Sequence, residues 1–224
     1  TQSRSSAASD VYKRQILATT RLGDERITAL SERKPVILIN RQVDGVVGVL
    51  PQVEEGVVAL VAHLAELGHT SLAYLSGPET SWISRRRWES LLDAAEQRGI
   101  AVVEIGPLSP TIDGGRESLR RVQAARATAV IAFNDLMAIG LIQAASASGI
   151  RVPDELSVAG FDDIFGSELI VPALTTVRAQ LELAGERAVG KVLEALGDAM
   201  EAVSDEPLAT TLVVRGSTGP VARG

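Results

Sequence analysis

The chain has 224 residues, of which 46% are hydrophobic and 22% charged, a composition typical of a folded globular protein rather than a disordered one. It contains no cysteine and only two histidines, His63 and His69, which excludes disulfides, thiolate nucleophiles and iron–sulfur clusters and disfavours a multi-histidine metal site. The formal net charge of −6 is the opposite of the basic surplus expected of a domain that grips duplex DNA, and no apolar run is long enough to predict a membrane span.

The first 15 residues (TQSRSSAASDVYKRQ) differ from the rest of the chain. They are rich in Ser and Ala, show neither helical nor strand periodicity, and do not begin with Met. They also lack the apolar core of a signal peptide. We expect residues 1–15 to be a non-native leader and the folded domain to begin at Ile16.

From Ile16 onward, short apolar runs alternate with amphipathic segments. The apolar runs predict strands at residues 16–18, 36–40, 71–76, 101–105, 128–133, 156–160 and 211–215. The amphipathic segments predict helices at residues 25–32, 54–67, 85–97, 113–125, 136–147 and 181–196. This alternation predicts an α/β fold with right-handed βαβ crossovers and a mostly parallel sheet.

Polar side chains follow several of the predicted strands, where parallel α/β sheets bind their ligands. The first set is Asn40 with Arg41, and the others are Arg85–Arg87, Asn134 with Asp135, and Phe161 with Asp162 and Asp163. Such groups suit hydrogen bonding to a polyhydroxylated or heterocyclic ligand. Each set also has a purely structural reading. Asn134–Asp135 could cap the next helix, the aspartate pair could form a turn, and the arginines could be a solvated helix start.

The sequence does not support catalysis. It contains no GxGxxG after a strand, no GxxxxGK[ST], no GxSxG and no HExxH, and neither histidine follows a strand at the polar edge. Asp162 and Asp163 are adjacent, so in an extended segment they would point in opposite directions, which is poor geometry for paired acid–base chemistry. We therefore predict a binding protein that is not an enzyme and that needs neither a metal nor a cofactor.

A set of short motifs in fixed order resembles a known family. The set consists of PVILINR (35–41), AHLAELGH (62–69), FNDLMAIG (133–140), VPDELSVAGFDD (152–163) and PALTTV (172–177). Over residues 16–219 their order and spacing resemble the effector-binding core of the LacI/GalR family of bacterial transcription regulators. The helix-turn-helix of that family has no counterpart in this sequence, so the resemblance covers the sensor and not the DNA reader.

The resemblance implies a fold and a division into subdomains. The fold is periplasmic-binding-protein-like, type I, with two parallel-sheet α/β subdomains, three crossovers and a ligand cleft between the subdomains. Residues 16–50 with 180–203 would form an incomplete N-terminal subdomain, and residues 51–177 with 207–219 the C-terminal, effector-binding subdomain.

The resemblance also implies a site. Effector contacts carry over to Asn40, Arg41, Arg87, Asn134 and Asp162, with Phe161 nearby. Arg87 matches the arginine of the family's R-x-x-G-[FW] helix start, but Ser90 stands at the glycine position. Leu108 falls near the position of a family aromatic that stacks on the ligand, which weakens the case for ring stacking.

The implied function is effector sensing for a transcriptional regulator. A small sugar-like or nucleoside-like molecule, with a carbohydrate favoured, would bridge the subdomains and shift their relative orientation, which would control DNA binding by a helix-turn-helix domain. The family implies a cytoplasmic homodimer without membrane contact in the intact parent. The alternative is a periplasmic sugar-binding protein of a transporter, which shares the fold.

Overall fold

The computed structural model of the chain describes residues 14–197 and 202–221. Residues 1–13 of the predicted leader lie outside the described residues, and Gln15 belongs to the first strand. Residues 198–201, which fall in the segment assigned to the N-terminal subdomain, also lie outside them.

The described residues form strands and helices in alternation, which confirms the predicted α/β class. The strands are β1 (Gln15–Ala18), β2 (Val36–Ile39), β3 (Gly48–Val49), β4 (Ser71–Leu75), β5 (Ala101–Ile105), β6 (Ala129–Ala132), β7 (Ser157–Asp162), β8 (Thr175–Ala179) and β9 (Thr210–Val213). The helices are α1 (Asp24–Ser31), α2 (Val53–Glu66), α3 (Trp82–Glu96), α4 (Ile112–Ala125), α5 (Asp135–Ala147) and α6 (Leu181–Glu194), and a short 3-10 turn spans Phe165–Ser167. None of the helices in the described part of the chain is both long and apolar enough to cross a membrane.

The chain divides into two compact units, and the first runs to Pro51 and includes Gln180–Leu208. Its sheet has the order β1-β2-β3 with parallel pairing. Successive side chains of a strand point to opposite faces, and β2 uses both of them. Ile37 packs in a cluster with Ala184 and Ala188 of α6, whereas Val36 and Leu38 belong to a second cluster with Ile27, Val43 and neighbouring partly buried residues.

The second unit comprises Gln52–Ala179 and the segment from Ala209 onward. Its sheet has the order β5-β4-β6-β7-β8-β9, in which all pairs are parallel except β8 with β9. All four residues of β6 are buried, as expected of a central strand covered on both faces. One extended apolar cluster forms the core of this unit.

Helices α4 and α5 approach each other backbone to backbone. A Cβ added at Gly115 would lie 2.0 Å from the carbonyl oxygen of Met137, and one added at Gly140 would lie 1.9 Å from that of Ile112. Both positions therefore need glycine for the packing itself, because no side chain fits between the two helices.

The observed elements differ from the predicted ones chiefly at α3, β3, β8 and β9. Helix α3 begins at Trp82, three residues before the predicted start, because the Ser81 hydroxyl accepts a hydrogen bond from the Ser84 N–H (3.3 Å) and caps it. The strands β3 and β8 were not predicted. The last strand was predicted at 211–215, and it runs antiparallel at the sheet edge as β9.

Candidate functional site

Three parallel strands bring polar groups to one edge of the six-stranded sheet. The strands β4, β6 and β7 are neighbours in the sheet, and their carboxyl ends lie at Leu75, Ala132 and Asp162. Since parallel strands end at the same edge, Phe133, Asn134 and Asp162 come near the start of α3, which follows β4. The sequence predicts four of its site residues at this edge, and these are Arg87, Asn134, Phe161 and Asp162.

Arg87 is the centre of the arrangement. It lies in the second turn of α3 and is 7% exposed. Its Nη1 donates to the carbonyl oxygen of Phe133 (2.5 Å), and its Nη2 donates to Oδ1 of Asp162 (2.9 Å). A buried guanidinium requires such partners, because an unpaired buried charge is strongly destabilising.

Two aromatic rings pack against the guanidinium of Arg87. The Cζ atom of Arg87 lies 4.3 Å from the ring centroid of Phe161 and 5.3 Å from that of Phe133. Both distances are within the range of favourable cation–π contacts. Phe161 was predicted near the site, whereas Phe133 was not, since its only signal in the sequence is its position next to Asn134 at a strand end.

Asp162 occupies an unusual backbone conformation. Its φ is +105°, and that of the next residue, Asp163, is +56°. Few residues without a glycine's freedom adopt such angles, and strained residues of this kind cluster at functional sites. Only Oδ1 of Asp162 has a hydrogen-bond donor among the described residues, and the side chain is 29% exposed, so Oδ2 can accept from a ligand.

The two aspartates do not form a catalytic pair. Both residues have positive φ, so the segment is not regularly extended, and their carboxylates face different partners. Asp163 accepts from Nη1 of Arg215 (2.7 Å) and Nε of Arg178 (2.6 Å). Burial alone would raise the pKa of Asp163, but the hydrogen bonds and charges of the two arginines outweigh it and lower the pKa. Asp163 therefore anchors the chain near the site through its two arginine partners.

Asn134 is the N-cap of α5. Its Oδ1 accepts from the backbone N–H of Met137 (3.0 Å), and its Nδ2 donates to the carbonyl oxygen of Pro110 (3.2 Å). The capping reading that the sequence left open is therefore correct for this residue. One amide hydrogen of Asn134 has no acceptor among the described residues, which is the contact it could offer to a ligand.

Asp135 lies beside the cap and is completely buried. Its carboxylate accepts from the hydroxyls of Thr176 (2.6 Å) and Ser167 (2.7 Å) and from the N–H of Ile164 (3.0 Å). Burial raises the pKa of Asp135 to about 6, although these three donors oppose the shift. Gly160 makes room for it, since a Cβ there would lie 2.3 Å from Oδ1 of Asp135. Asp135 thus joins the start of α5 to the 3-10 turn at Phe165–Ser167 and to strand β8.

The three consecutive arginines of α3 have different surroundings. Arg87 is buried as described, and Arg86 pairs with Glu54 and with Glu89 on the surface. Arg85 is exposed and forms no ion pair within the described ranges. Of the three arginines, Arg87 is therefore the one that lies at this edge with Phe133 and Asp162.

Asn40 and Arg41 belong to the first unit, directly after β2. Asn40 has a φ of +56°, and its N–H donates to the carbonyl oxygen of Val49 (3.2 Å). Arg41 pairs with Asp24 through Nη2 (2.5 Å), and its buried Nε has no acceptor in the part of the chain that the structure describes. Both residues lie at the carboxyl end of their own strand, as the sequence predicts.

The histidines have structural surroundings. His69 is buried, with Nδ1 2.9 Å from Thr128 Oγ1, and with Nε2 3.1 Å from Ser157 Oγ and 3.0 Å from the carbonyl oxygen of Gly219. Burial lowers the pKa of His69, although the Gly219 carbonyl opposes the shift. The two ring nitrogens of His69 therefore join three chain segments through hydrogen bonds. No cluster of three or more potential metal-ligating side chains occurs in residues 14–197 and 202–221.

The second unit is an α/β domain with an arginine–aspartate pair at the carboxyl edge of its sheet, and comparison with known proteins gives its family. A family model described as a periplasmic binding protein-like domain matches residues 61–218. An uncharacterized HTH-type transcriptional regulator of Streptomyces limosus is 32% identical over 219 residues, which is 93% of this chain and 62% of that protein. The chain thus spans less than two thirds of the length of this relative.

Solved structures agree with that match. A LacI transcriptional regulator from a Rhodococcus species superposes with a TM-score of 0.82 and 30% identity, covering 96% of this chain and 81% of that one. A sugar-binding transcriptional regulator of the LacI family from Escherichia coli, complexed with phosphate, gives a TM-score of 0.80 and 26% identity, covering 92% and 77%.

The chain belongs to the periplasmic-binding-protein-like domains of the LacI family, which confirms the resemblance seen in the sequence. The relatives are transcriptional regulators, a class without enzymatic activity, so the expectation that the chain is not an enzyme is also confirmed.

Proposed function

We propose that this chain is the effector-sensing domain of a LacI-type transcriptional regulator, and that Arg87, Phe161 and Asp162 bind the effector. The observation that carries the proposal is the Arg87–Asp162 pair at the carboxyl edge of the sheet. The rings of Phe133 and Phe161 pack against the guanidinium, and Oδ2 of Asp162 has no donor among the described residues. Asn134 would add its remaining amide hydrogen. Asn40 and Arg41 remain predicted contacts from the first unit.

The chemistry of these groups favours a neutral molecule with several hydroxyls. A guanidinium donates and a carboxylate accepts, so the pair can engage one or two adjacent hydroxyl groups, each of which both donates and accepts. One of the solved relatives is described as sugar-binding, which supports a carbohydrate over a nucleoside. The relatives are regulators, which favours this role over that of a transporter's periplasmic sugar-binding protein and supports a cytoplasmic location.

Effector binding would act through a shift between two conformations of the sensor. The effector can shift that equilibrium only by the difference between its affinities for the two conformations. In the full-length regulator this difference would appear as a change in affinity for DNA, which a helix-turn-helix domain outside this chain would bind.

Isothermal titration calorimetry of the purified chain with monosaccharides and nucleosides tests the site. We expect at least one monosaccharide to bind, and we expect Arg87→Lys to weaken it by about tenfold or more, because lysine keeps the charge but loses the planar fork of donors. Arg116→Lys is the matched control, since Arg116 is half-exposed and pairs with exposed Asp113. The proposal fails if no compound binds, or if Arg87→Lys binds as tightly as the parent while circular dichroism shows it folded.

We also propose that the intact regulator is a homodimer and that an apolar surface of this chain takes part. Phe165, Leu169 and Val171 lie within seven residues and are 86%, 65% and 92% exposed. Large apolar side chains clustered on a surface mark interaction sites. Leu169→Glu is expected to shift the chain from dimer to monomer in multi-angle light scattering. The control is Leu92→Glu, an exposed leucine of α3. A parent chain that is monomeric at high concentration would contradict this assignment.

A further inference from the structure

A cavity lies on the flank of α3 that faces away from the Arg87 cluster. It has a volume of about 330 Å³ and lies between the start of α3 and the end of the edge strand β5. Its walls include Ser76, Arg85, Trp88 and Glu104. The volume is at the lower end of the range for small-molecule sites.

This cavity is separate from the Arg87 cluster. Residues Ser81, Ser84, Arg85 and Trp88 line it, and their spacing places them along one face of α3. Arg87 points instead to Phe133, Phe161 and Asp162, and none of these four residues lines the cavity. One flank of α3 therefore lines the cavity, and the other flank carries Arg87 toward Phe133 and Asp162.

One hydroxyl in the cavity wall has no partner. Ser76 is 4% exposed, and its Oγ makes no hydrogen bond to any described residue. The other two buried serines of the wall are already used, since Ser84 Oγ accepts from the Gly77 N–H (3.2 Å) and Ser81 Oγ caps α3. A buried hydroxyl without a partner costs free energy, so its presence here needs a reason.

The backbone opposite Ser76 leaves room for that hydroxyl. A Cβ added at Gly106 would lie 1.8 Å from Ser76 Oγ, so any other residue at 106 would displace the hydroxyl from its position. The ring of Trp88 stacks on Tyr74 with centroids 5.6 Å apart and planes at 16°, which fixes the apolar wall. The wall therefore contains an unused donor and acceptor, Ser76 Oγ, beside a stacked aromatic pair.

The charges around the cavity select the kind of ligand. Arg85, which has no ion pair in the described ranges, lines it together with the exposed carboxylates of Glu79 and Glu104. A multiply charged anion would meet both carboxylates, and a cation would meet the guanidinium. A neutral compound with several hydroxyls can donate to the carboxylates, accept from Arg85 and satisfy Ser76, and its C–H faces can pack against Trp88.

We propose that this cavity is a second small-molecule site, which takes a neutral polyhydroxylated compound of the size of one sugar ring. It does not depend on the effector site proposed above, since the two share no residue. Ser76 donates or accepts the buried hydrogen bond, Arg85 and Glu104 bind hydroxyls at the rim, and Trp88 forms the apolar wall.

Tryptophan fluorescence tests the proposal, because the chain has only two tryptophans and Trp82→Phe leaves Trp88 as the sole reporter. This variant is titrated with D-glucose, D-galactose and myo-inositol, and with inorganic phosphate as the anionic probe. We expect a saturable change in Trp88 emission with at least one of the three polyols. No saturable change with any polyol, or saturation by phosphate alone, overturns the proposal.

Two further substitutions in the same background locate the signal. Ser76→Ala should leave the thermal midpoint unchanged or higher, because it removes an unpaired hydroxyl, and should weaken polyol binding about three- to tenfold, the range of one neutral hydrogen bond. Ser146→Ala, at an exposed position in α5, is the matched control. Arg87→Lys should leave this affinity unchanged. Unweakened binding by Ser76→Ala, or loss of the signal in Arg87→Lys, contradicts a second site.

Discussion

Replacing Asp135 by alanine is expected to destabilise the chain by about 3–5 kcal/mol, the cost of breaking a buried charged network. The substitution leaves the Thr176 and Ser167 hydroxyls and the Ile164 N–H without their shared acceptor in a fully buried position. It also removes the hydrogen bonds that connect α5 to the 3-10 turn and to β8. Urea denaturation at neutral pH measures the difference in the free energy of unfolding.

Asp135→Asn is the matched control for this prediction. Its amide oxygen can take the place of Oδ2 and accept from Ile164 and Ser167, while its amide nitrogen donates to Thr176, whose hydroxyl turns to accept. We expect it to keep most of the stability that Asp135→Ala loses. Equal losses for the two variants would show that shape and not hydrogen bonding matters at this position.

The same carboxylate predicts a pH dependence. The pKa of Asp135 is raised to about 6 in the folded chain from its usual 3.8, so the folded state binds the proton more tightly than the unfolded state does. The stabilisation from this proton is complete below pH 4 and is lost as the pH rises through 6, by up to about 3 kcal/mol. The parent should therefore lose stability relative to Asp135→Asn between pH 4 and 6. A constant difference over that range would contradict the raised pKa.

Gly140→Ala is expected to destabilise the chain by about 3 kcal/mol, because the added methyl would lie 1.9 Å from the carbonyl oxygen of Ile112. Backbone cannot move aside as a flexible side chain can, so α4 and α5 would have to separate. The thermal midpoint, measured by circular dichroism, should fall accordingly.

Gly185→Ala provides the opposite case in another helix. Gly185 lies within α6, and an added Cβ there would meet nothing within 4 Å. Alanine should therefore stabilise by about 1 kcal/mol through its higher helix propensity. If both glycine variants change the midpoint in the same direction, close approach of the backbones is not what requires Gly140.

The sequence predicts the elements that carry a clear hydrophobic period. The stripe of α2 and the apolar run of β2 are both found where they were predicted, and Gly68, with a φ of +90°, follows the end of α2 as expected of a C-terminal glycine. Strand β8 was missed because two threonines occupy it. Thr175 and Thr176 are nevertheless fully buried, because the Thr175 hydroxyl donates to the carbonyl oxygen of Arg215 and the Thr176 hydroxyl donates to Asp135, and these partners lie 40 and 41 positions away.

The candidate site was predictable where side chains follow strands. Arg87, Phe161 and Asp162 are brought into contact as the sequence suggests, because strand order in a parallel sheet collects the strand ends. The cap formed by Asn134 and the buried role of Asp135 could not be separated from the sequence, because either residue of an Asn–Asp pair can cap a helix. Phe133 was missed because nothing in the sequence shows that its ring reaches a residue 46 positions earlier.

The contacts that Arg87 makes with Phe133, Phe161 and Asp162 have a thermodynamic consequence. A free arginine side chain loses about 2 kcal/mol of rotamer entropy when it is fixed in one position. Here folding has already fixed it. A ligand that reaches this guanidinium therefore meets a donor whose direction is set in advance, and discrimination between epimers can rest on the position of a single hydroxyl.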